Sequence, residues 1–287
     1  MSTVGVLRLA TRGSGLARWQ AAWVAAAVGG EVELVVVDTA GDRRRDVPLS
    51  AIGGQGVFVK EVEAAVLDGR ADAAVHSAKD LPARTEPGLR LAAVGRREDP
   101  RDALVGARLD AIPPGGVVAT GSARRRALLL DVRPDLTFAD LRGNIPTRLE
   151  KAVAFDAIVV ALAALVRLEL ADRVSEALDP EVFVPQVGQG AIAVECRADD
   201  SATAARLQPV DDPATHRAVA AERAFLAALG GGCTLPVGAY ATGGAELTLR
   251  TVLATADERT LYRLTVTGAD PVRLGEEAAR AMLVRVG

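Results

Sequence analysis

The chain has 287 residues, 49% of them hydrophobic and 25% charged, and a net charge of −3 at neutral pH. A chain of this length can bury roughly three quarters of its unfolded surface, so two or three globular domains are expected. The charge excludes a general affinity for nucleic acid. The longest uncharged run, residues 224–245, contains several glycines and a proline, which excludes a membrane helix there.

Cysteine and histidine are too rare for a disulfide framework or a typical metal site. The two cysteines, Cys196 and Cys233, and the two histidines do not follow the spacing of known metal sites. The first residues lack the basic start and apolar stretch of a secretory signal. We therefore expect a reducing, cytoplasmic setting, with no resident metal and no membrane partner.

Short apolar runs alternate with helical segments at the start of the chain, as in α/β proteins. Strands are predicted at residues 4–10, 32–37, 71–75 and 89–94, and helices at residues 16–28 and 58–67. The polar, glycine-rich run DTAGDRRRDVPLSAIGGQG follows the second strand. Loops this long in compact domains are usually functional or mobile.

The same pattern begins again after residue 103. A strand at 116–120 leads into a helix near Arg124, and residues 155–168 form a strand that runs into another helix. The runs LRLATRGSGLAR and VVATGSARRR are alike, because each ends a strand with Ala-Thr and continues through Gly-Ser into a helix. We infer two similar α/β domains in tandem.

The pattern changes from Pro209 onward. A helix is predicted at 212–229, strands at LTLRTVLAT and LYRLTVTG, and a last helix around 276–284, which together indicate a small α+β domain. Cys233 follows the first of these helices, and Gly230 is a natural C-cap because glycine tolerates the left-handed conformation.

Both Gly-Ser turns place hydroxyl and backbone N–H groups at the start of a helix, where anions bind. Such turns often serve only as caps. Arginines distinguish these two turns: Arg12 lies in the first, and three consecutive arginines lie in the second, where the helix dipole disfavours cations. An anionic ligand would resolve that conflict. The candidate groups are Arg12, Ser14, Thr120, Ser122, Arg124 and Arg125.

Further arginines follow other predicted strands. Arg142 and Arg148 flank a Gly-Asn turn, and Arg167 follows the next apolar segment. Each of them could equally be a surface charge or the partner of a nearby aspartate. Guanidinium groups bind carboxylates through paired hydrogen bonds, so several converging arginines favour a ligand with many carboxylates.

The run AVHSAKDLP lies where a strand ends, which is the usual position of ligand residues in open α/β sheets. Asp80 could present a carboxylate to a ligand, or it could be the solvated partner of Lys79. The sequence contains no convincing Ser-His-Asp or Cys-His arrangement, and no glycine-rich nucleotide fingerprint follows a strand.

Seven motifs together resemble one family, the porphobilinogen deaminases, also called hydroxymethylbilane synthases. They occur in the family's order and approximate spacing over nearly the whole chain: LATRGSGLARWQ, GGQGVFVKEVE, ADAAVHSAKDLP, REDPRDAL, LRGNIPTRL, VGQGAIAVECR and GGCTLPVGAY. The resemblance implies two domains like those of periplasmic binding proteins and a third α+β domain. The implied ranges are 1–95 with 191–209, then 100–184, and then 213–287.

The resemblance also implies the activity, which is the condensation of four porphobilinogen molecules into the linear tetrapyrrole hydroxymethylbilane with release of ammonia. It implies a dipyrromethane cofactor bound through a thioether to Cys233, a catalytic Asp80 and a monomeric enzyme. Cys196 is expected to be an inert buried thiol. The residues that match positions binding cofactor and substrate are Arg12, Ser14, Gln20, Lys79, Thr120, Ser122, Arg124, Arg125, Arg142, Arg148, Arg167 and Gln189.

Some positions depart from the family pattern. The long loop has Ala51 and Gln55 where the family often has lysines, so Arg43, Arg44 and Arg45 are candidates to supply its positive charge. Gly13, Gly15 and Gly121 also replace more usual residues in the two turns.

Two other classes of function compete with this interpretation. A non-catalytic polycarboxylate-binding protein would also use arginines between two α/β domains, but it would not need Cys233. A cysteine hydrolase would need a histidine beside Cys233, and neither His76 nor His216 lies in a recognisable motif for that role.

Overall fold

The computed structural model describes residues 5–39, 58–230 and 236–286. Contacts between residues divide the chain into two compact units. Unit 1 comprises Met1–Arg97 and Ala191–Arg217, and unit 2 comprises Glu98–Gly190 and Ala218–Gly287. The predicted division into three domains is finer than this and stays a prediction.

Strands and helices alternate along much of the described chain. The strands are β1 Leu7–Arg12, β2 Val32–Val37, β3 Ala73–Ser77, β4 Leu89–Val94, β5 Asp102–Val105, β6 Val117–Ala119, β7 Thr137–Ala139, β8 Ala157–Ala161, β9 Glu176–Ala177, β10 Ile192–Arg197, β11 Val237–Gly243, β12 Leu247–Ala254 and β13 Leu261–Gly268. The α-helices are α1 Gly15–Val28, α2 Lys60–Leu67, α3 Ala123–Val132, α4 Ile145–Lys151, α5 Leu162–Arg167, α6 Ser201–Leu207, α7 Pro213–Ala228 and α8 Pro271–Val286.

Each unit contains a five-stranded sheet, and the two sheets have equivalent strand orders. The order is β2-β1-β3-β10-β4 in unit 1 and β7-β6-β8-β5-β9 in unit 2. In both sheets the first three strands are parallel and the fourth is antiparallel to its neighbours. The tandem repeat inferred from the two Gly-Ser runs is therefore confirmed, and so is the predicted α/β class.

Side-chain caps explain why helices begin directly after these strands. The Ser14 hydroxyl accepts a hydrogen bond from the Ala17 N–H at 3.3 Å, and the Ser122 hydroxyl accepts one from the Arg125 N–H at 3.4 Å. Each cap satisfies one of the N–H groups that a helix start leaves without a partner. The equivalent serines thus perform the same local task in both units.

Several elements differ from the sequence predictions. Strand β1 begins at Leu7, helix α2 begins at Lys60, and α8 extends over Pro271–Val286. The short elements β5, β9, β11, α4 and α6 were not predicted. Their local sequences carry weak signals, because β5 lies in a charged motif, β11 contains glycines and α4 includes a proline. Most of the predicted long loop, residues 38–56, lies outside the described residues, because these end at 39 and begin again at 58.

The third sheet, in unit 2, is antiparallel with the order β11-β12-β13. Its core includes Phe225 from α7 and Leu274 and Met282 from α8. At Gly275 the two helices approach so closely that a Cβ atom would lie 2.6 Å from the backbone nitrogen of Phe225, and closer still to the carbonyl oxygen of Ala221. None of the described helices is long and apolar enough to cross a membrane.

We predict that Gly275→Ala destabilises the protein, because the new methyl group meets backbone atoms that cannot rotate away. Overpacking of this kind costs about 1–3 kcal/mol in the free energy of unfolding, measured by denaturant titration. Gly15→Ala is the matched control, since a Cβ at Gly15 contacts nothing within 4 Å and alanine favours a helix. Equal stability of the two variants would contradict the close approach of α7 and α8.

Candidate functional site

The carboxyl ends of the parallel strands of unit 1 bring several predicted residues to one sheet edge. Strands β1 and β3 are parallel neighbours, so Arg12 at the end of β1 lies at the same edge as the residues that follow β3. Lys79 and Asp80 lie there in a 3-10 turn, Ala78–Asp80, and both are half-buried.

Gln20 fixes the end of β3 from helix α1. Its side chain is buried, and its amide nitrogen donates to the Ser77 hydroxyl at 2.8 Å. The same hydroxyl donates to the amide oxygen of Gln20 at 3.2 Å. Because Ser77 directly precedes the turn that carries Asp80, Gln20 acts on that turn by positioning the residue before it.

Arg12 stacks on an aromatic ring. Its guanidinium carbon lies 4.1 Å from the centroid of the Phe58 ring, which is cation–π geometry. Sequence reasoning did not single out Phe58. The available signal was an aromatic residue shortly after the glycine-rich run GGQG.

The equivalent edge of unit 2 carries the second set of predicted residues. Strands β7, β6 and β8 are parallel neighbours, so the segments that follow them meet at one edge. Thr120 is buried and Ser122 half-buried after β6. After β7, Arg142 and Arg148 are both half-buried, and the Arg148 Nε donates to the carbonyl of Gly143 at 2.7 Å.

A buried carboxylate, Asp102, holds the two central arginines. It is the first residue of β5 and lies opposite Ala161, the last residue of β8, so it belongs to the same edge. Arg124 Nη2 donates to Asp102 Oδ2 at 2.7 Å, and Arg125 donates to Oδ1 through Nε at 3.0 Å and Nη2 at 2.7 Å. The exposed fractions of the three side chains are 2%, 4% and 9% in chain order.

Further contacts within unit 2 complete this cluster. The Gln189 amide donates to Asp102 Oδ1 at 2.9 Å and to the carbonyl of Pro100 at 2.7 Å. Arg124 Nη1 donates to the carbonyl of Val184, and Arg125 Nη1 donates to the carbonyl of Val159. Three predicted site residues are therefore arranged around one carboxylate that the sequence analysis left without a role.

The charges of the cluster leave a positive surplus. Burial alone would raise the pKa of Asp102, but the charges of Arg124 and Arg125 outweigh it and hold that pKa below its usual range. One ionised carboxylate with two guanidinium groups has a net charge of about +1. Asp102 thus offsets part of the conflict between the arginines and the helix dipole at α3, and one positive charge of the cluster remains.

Arg167, at the end of α5, is another buried cation of unit 2. Its Nη2 donates to the carbonyl of Gly190 at 2.7 Å, and Gly190 directly follows Gln189 of the cluster. Burial lowers the pKa of Arg167 to about 10, with Glu98 opposing the shift, so the side chain stays charged at neutral pH.

The two cysteines differ in what the structure describes. Cys196 is fully buried in β10, and burial raises the pKa of its thiol, as expected for an inert packing residue. Cys233 lies outside the described residues, as do Arg43, Arg44, Arg45, Ala51 and Gln55.

Comparisons with known proteins agree on one family. Residues 7–205 match the family model "Porphobilinogen deaminase, dipyromethane cofactor binding domain", and residues 216–284 match "Porphobilinogen deaminase, C-terminal domain". The porphobilinogen deaminase of Brevibacillus brevis is 45% identical over 98% of this chain and 95% of its own. That of Acidothermus cellulolyticus is 47% identical over 100% of this chain and 91% of its own.

Solved structures superpose only loosely on this chain. A TRAP periplasmic solute binding protein from Ralstonia eutropha H16 gives a TM-score of 0.39 at 12% identity, covering 77% of this chain and 81% of its own. The assignment of the fold therefore rests on the strand orders of the two five-stranded sheets. The two family models together span nearly the whole described chain and include both Gly-Ser turns, Asp80 and Asp102, and they show that the chain belongs to the porphobilinogen deaminase family.

Proposed function

We propose that this chain is a transferase that condenses four porphobilinogen molecules head to tail into hydroxymethylbilane and releases one ammonia at each step. The observation that carries the proposal is the buried cluster of Arg124, Arg125 and Asp102, which has surplus positive charge at the carboxyl edge of a sheet. A growing pyrrole chain gains two carboxylates with each unit, and such a ligand suits several guanidinium groups better than a single cation.

The residues present fit a dipyrromethane cofactor with carboxylates on both rings. Among the described residues, the Nε of Arg124 is a buried donor with no acceptor, and the cluster around it is short of negative charge. We infer that the cofactor carboxylates bind at this edge of unit 2, with a thioether to Cys233 as the covalent anchor. When bound, the cofactor supplies the free ring carbon on which the chain grows. The proposed binding residues of unit 2 are Thr120, Ser122, Arg124, Arg125, Arg142, Arg148, Arg167 and Gln189.

Asp102 makes the two arginines rigid before a ligand arrives. A guanidinium group held by a carboxylate and a backbone carbonyl cannot rotate freely, so less side-chain entropy is lost when a ligand binds. Half-buried Arg142 and Arg148, by contrast, remain accessible from solvent. We infer that the first pair sets the position of the cofactor and that the second pair follows the growing chain.

Asp80 is the proposed catalytic residue, with Arg12, Ser14, Gln20 and Lys79 as the binding and positioning residues of unit 1. Loss of ammonia from the aminomethyl arm of porphobilinogen leaves an electron-poor azafulvene cation. A carboxylate beside the pyrrole N–H stabilises that positive charge. After the new carbon–carbon bond forms, the same carboxylate can accept the ring proton whose departure restores aromaticity.

We further propose that the protein acts as a monomer in the cytoplasm. A thioether can form only from a reduced Cys233, and thiols persist in reducing compartments. One copy of the chain carries every residue of the proposed machinery, so no partner subunit is needed to complete it.

The first prediction from this proposal concerns Cys233→Ser. The variant should fold, because a hydroxyl group replaces a thiol group of similar size. It should nevertheless lack the covalent pyrrole adduct and nearly all activity. Intact mass of freshly purified protein measures the adduct. Cys196→Ser is the matched control and should keep both adduct and activity. A Cys233→Ser protein that still carried the adduct would show that the anchor lies elsewhere.

The second prediction concerns Asp80→Asn, which keeps the shape of the side chain and removes its charge. Porphobilinogen should still bind, while the chemical step slows by about 10²-fold or more, the usual scale for a positioned acid or base. Asp80→Glu keeps the charge in a displaced position and should retain more activity. Single-turnover condensation by cofactor-loaded protein is the measurement, and a normal rate for the Asn variant would reduce Asp80 to a structural partner of Lys79.

A further inference from the structure

Glu258 adopts a backbone conformation that a glutamate side chain does not favour. It lies in the hairpin of residues 255–260 between β12 and β13, and its φ of +62° is in the left-handed region. Within that hairpin the Thr255 carbonyl accepts from the Glu258 N–H at 2.9 Å. Turns of this kind normally use Gly, Asn or Asp at a left-handed position. The backbone preference of the turn therefore does not explain a glutamate at this position. We look for the explanation in the contacts of its side chain.

The carboxylate of Glu258 accepts two hydrogen bonds from Arg126, the third arginine of helix α3. Arg126 Nε donates to one carboxylate oxygen at 2.8 Å and Nη2 donates to the other at 2.6 Å, which is the paired geometry of a strong ion pair. The two side chains are only 25% and 17% exposed, so solvent screens the pair less than it would a surface pair. Arg126 follows Arg124 and Arg125 directly, so this contact ties the first turn of helix α3, the arginine turn, to the hairpin.

The hairpin lies at the end of the third sheet where strand β12 ends and strand β13 begins. Strand β11 begins there, since Val237 pairs with Leu253 and the Ala254 N–H donates to the carbonyl of Pro236 at 3.0 Å. Val237 follows Cys233 by four positions in the sequence. The contact between Glu258 and Arg126 therefore joins the arginine turn to the sheet end from which the chain leads to the proposed anchor.

A second ion pair links the same helix to the same sheet farther along. Arg263 of β13 donates to Asp131, near the last residue of α3, at 2.8 Å. Between the two pairs, Val252 packs in one apolar cluster with Leu128 and Leu129. The helix is thus held along its length, but of these two ion pairs the Glu258 pair is the one at its arginine end.

We propose that Glu258 is a positioning residue for cofactor installation. Through Arg126 it sets where the arginines that bind carboxylates stand relative to the strand that follows Cys233. The inference rests on the proposed function, because it assumes that dipyrromethane is anchored at Cys233 and bound by Arg124 and Arg125. Neither Glu258 nor Arg126 belongs to the set of residues inferred from the family motifs.

The test is the rate at which the full-length apoprotein, made in cells that cannot supply porphobilinogen, gains the pyrrole adduct when porphobilinogen is added. Glu258→Asn suits the left-handed position, which offsets the loss of the ion pair, so it should fold with a melting temperature close to that of the wild type and load about tenfold more slowly. Glu258→Asp keeps the charge on a shorter arm and should load faster than the Asn variant. Intact mass over time gives the rate, and a melting temperature gives the stability.

Asp131→Asn is the matched control, because it breaks an ion pair between the same helix and sheet away from the arginine turn. It should load within about twofold of the wild type. Loading of Glu258→Asn at the wild-type rate, or equal slowing by Asp131→Asn, would overturn the positioning role and leave the proposed function standing. A wild-type protein that gained no pyrrole adduct at all would instead overturn the proposed function, and the positioning role with it.

Discussion

The carboxylate of Asp102 is the constraint on which the second unit depends. It is buried with two guanidinium groups and an amide around it, at the edge where β5, β6 and β8 meet the loops. Charges buried in this way are costly unless every one has a partner, and removal of one partner from such a cluster typically costs about 3–5 kcal/mol. The helix that begins after Ser122, the strand that begins at Asp102 and the segment around Gln189 are therefore held in one arrangement.

That arrangement also supports the proposed binding of carboxylates. Two arginines fixed by one carboxylate are rigid and still positively charged overall, which is the property a site for carboxylates requires. Unit 1 uses the same strand and helix pattern differently. At its equivalent edge the turn after β3 carries an acid, Asp80, and the Gly-Ser turn carries the single cation Arg12. Lys79 lies beside Asp80 in that turn, so one repeated architecture supplies an edge with buried arginines in unit 2 and an edge that combines an acid with cations in unit 1.

The sequence predicted the parts of the molecule whose signals are local. The Gly-Ser runs predicted strand–turn–helix units and their repetition, and both serines cap helices as that pattern requires. The arginines of α3 were identified by their position at a helix start. Asp102 could not be recognised as their partner, because its strand has four residues and lies 22 positions away in a motif that resembles a charged loop. The same holds for Glu258, which is 132 positions from Arg126. Residues that are far apart in the sequence and meet only in the folded protein do not produce a periodic sequence pattern.

The ionisation of Asp102 tests this account most directly. Because its pKa is lower in the folded protein than in the unfolded chain, the cluster contributes stability above about pH 4, and that contribution is lost as the pH falls further. Carbon-13 NMR of aspartate-labelled protein, with the Asp102 carboxyl signal assigned from Asp102→Asn, follows the group directly. The account predicts that this signal keeps its ionised position from neutral pH down to acid unfolding. A titration in the folded protein at about pH 4 or above would contradict it, because Asp102 would then not be held by the two arginines.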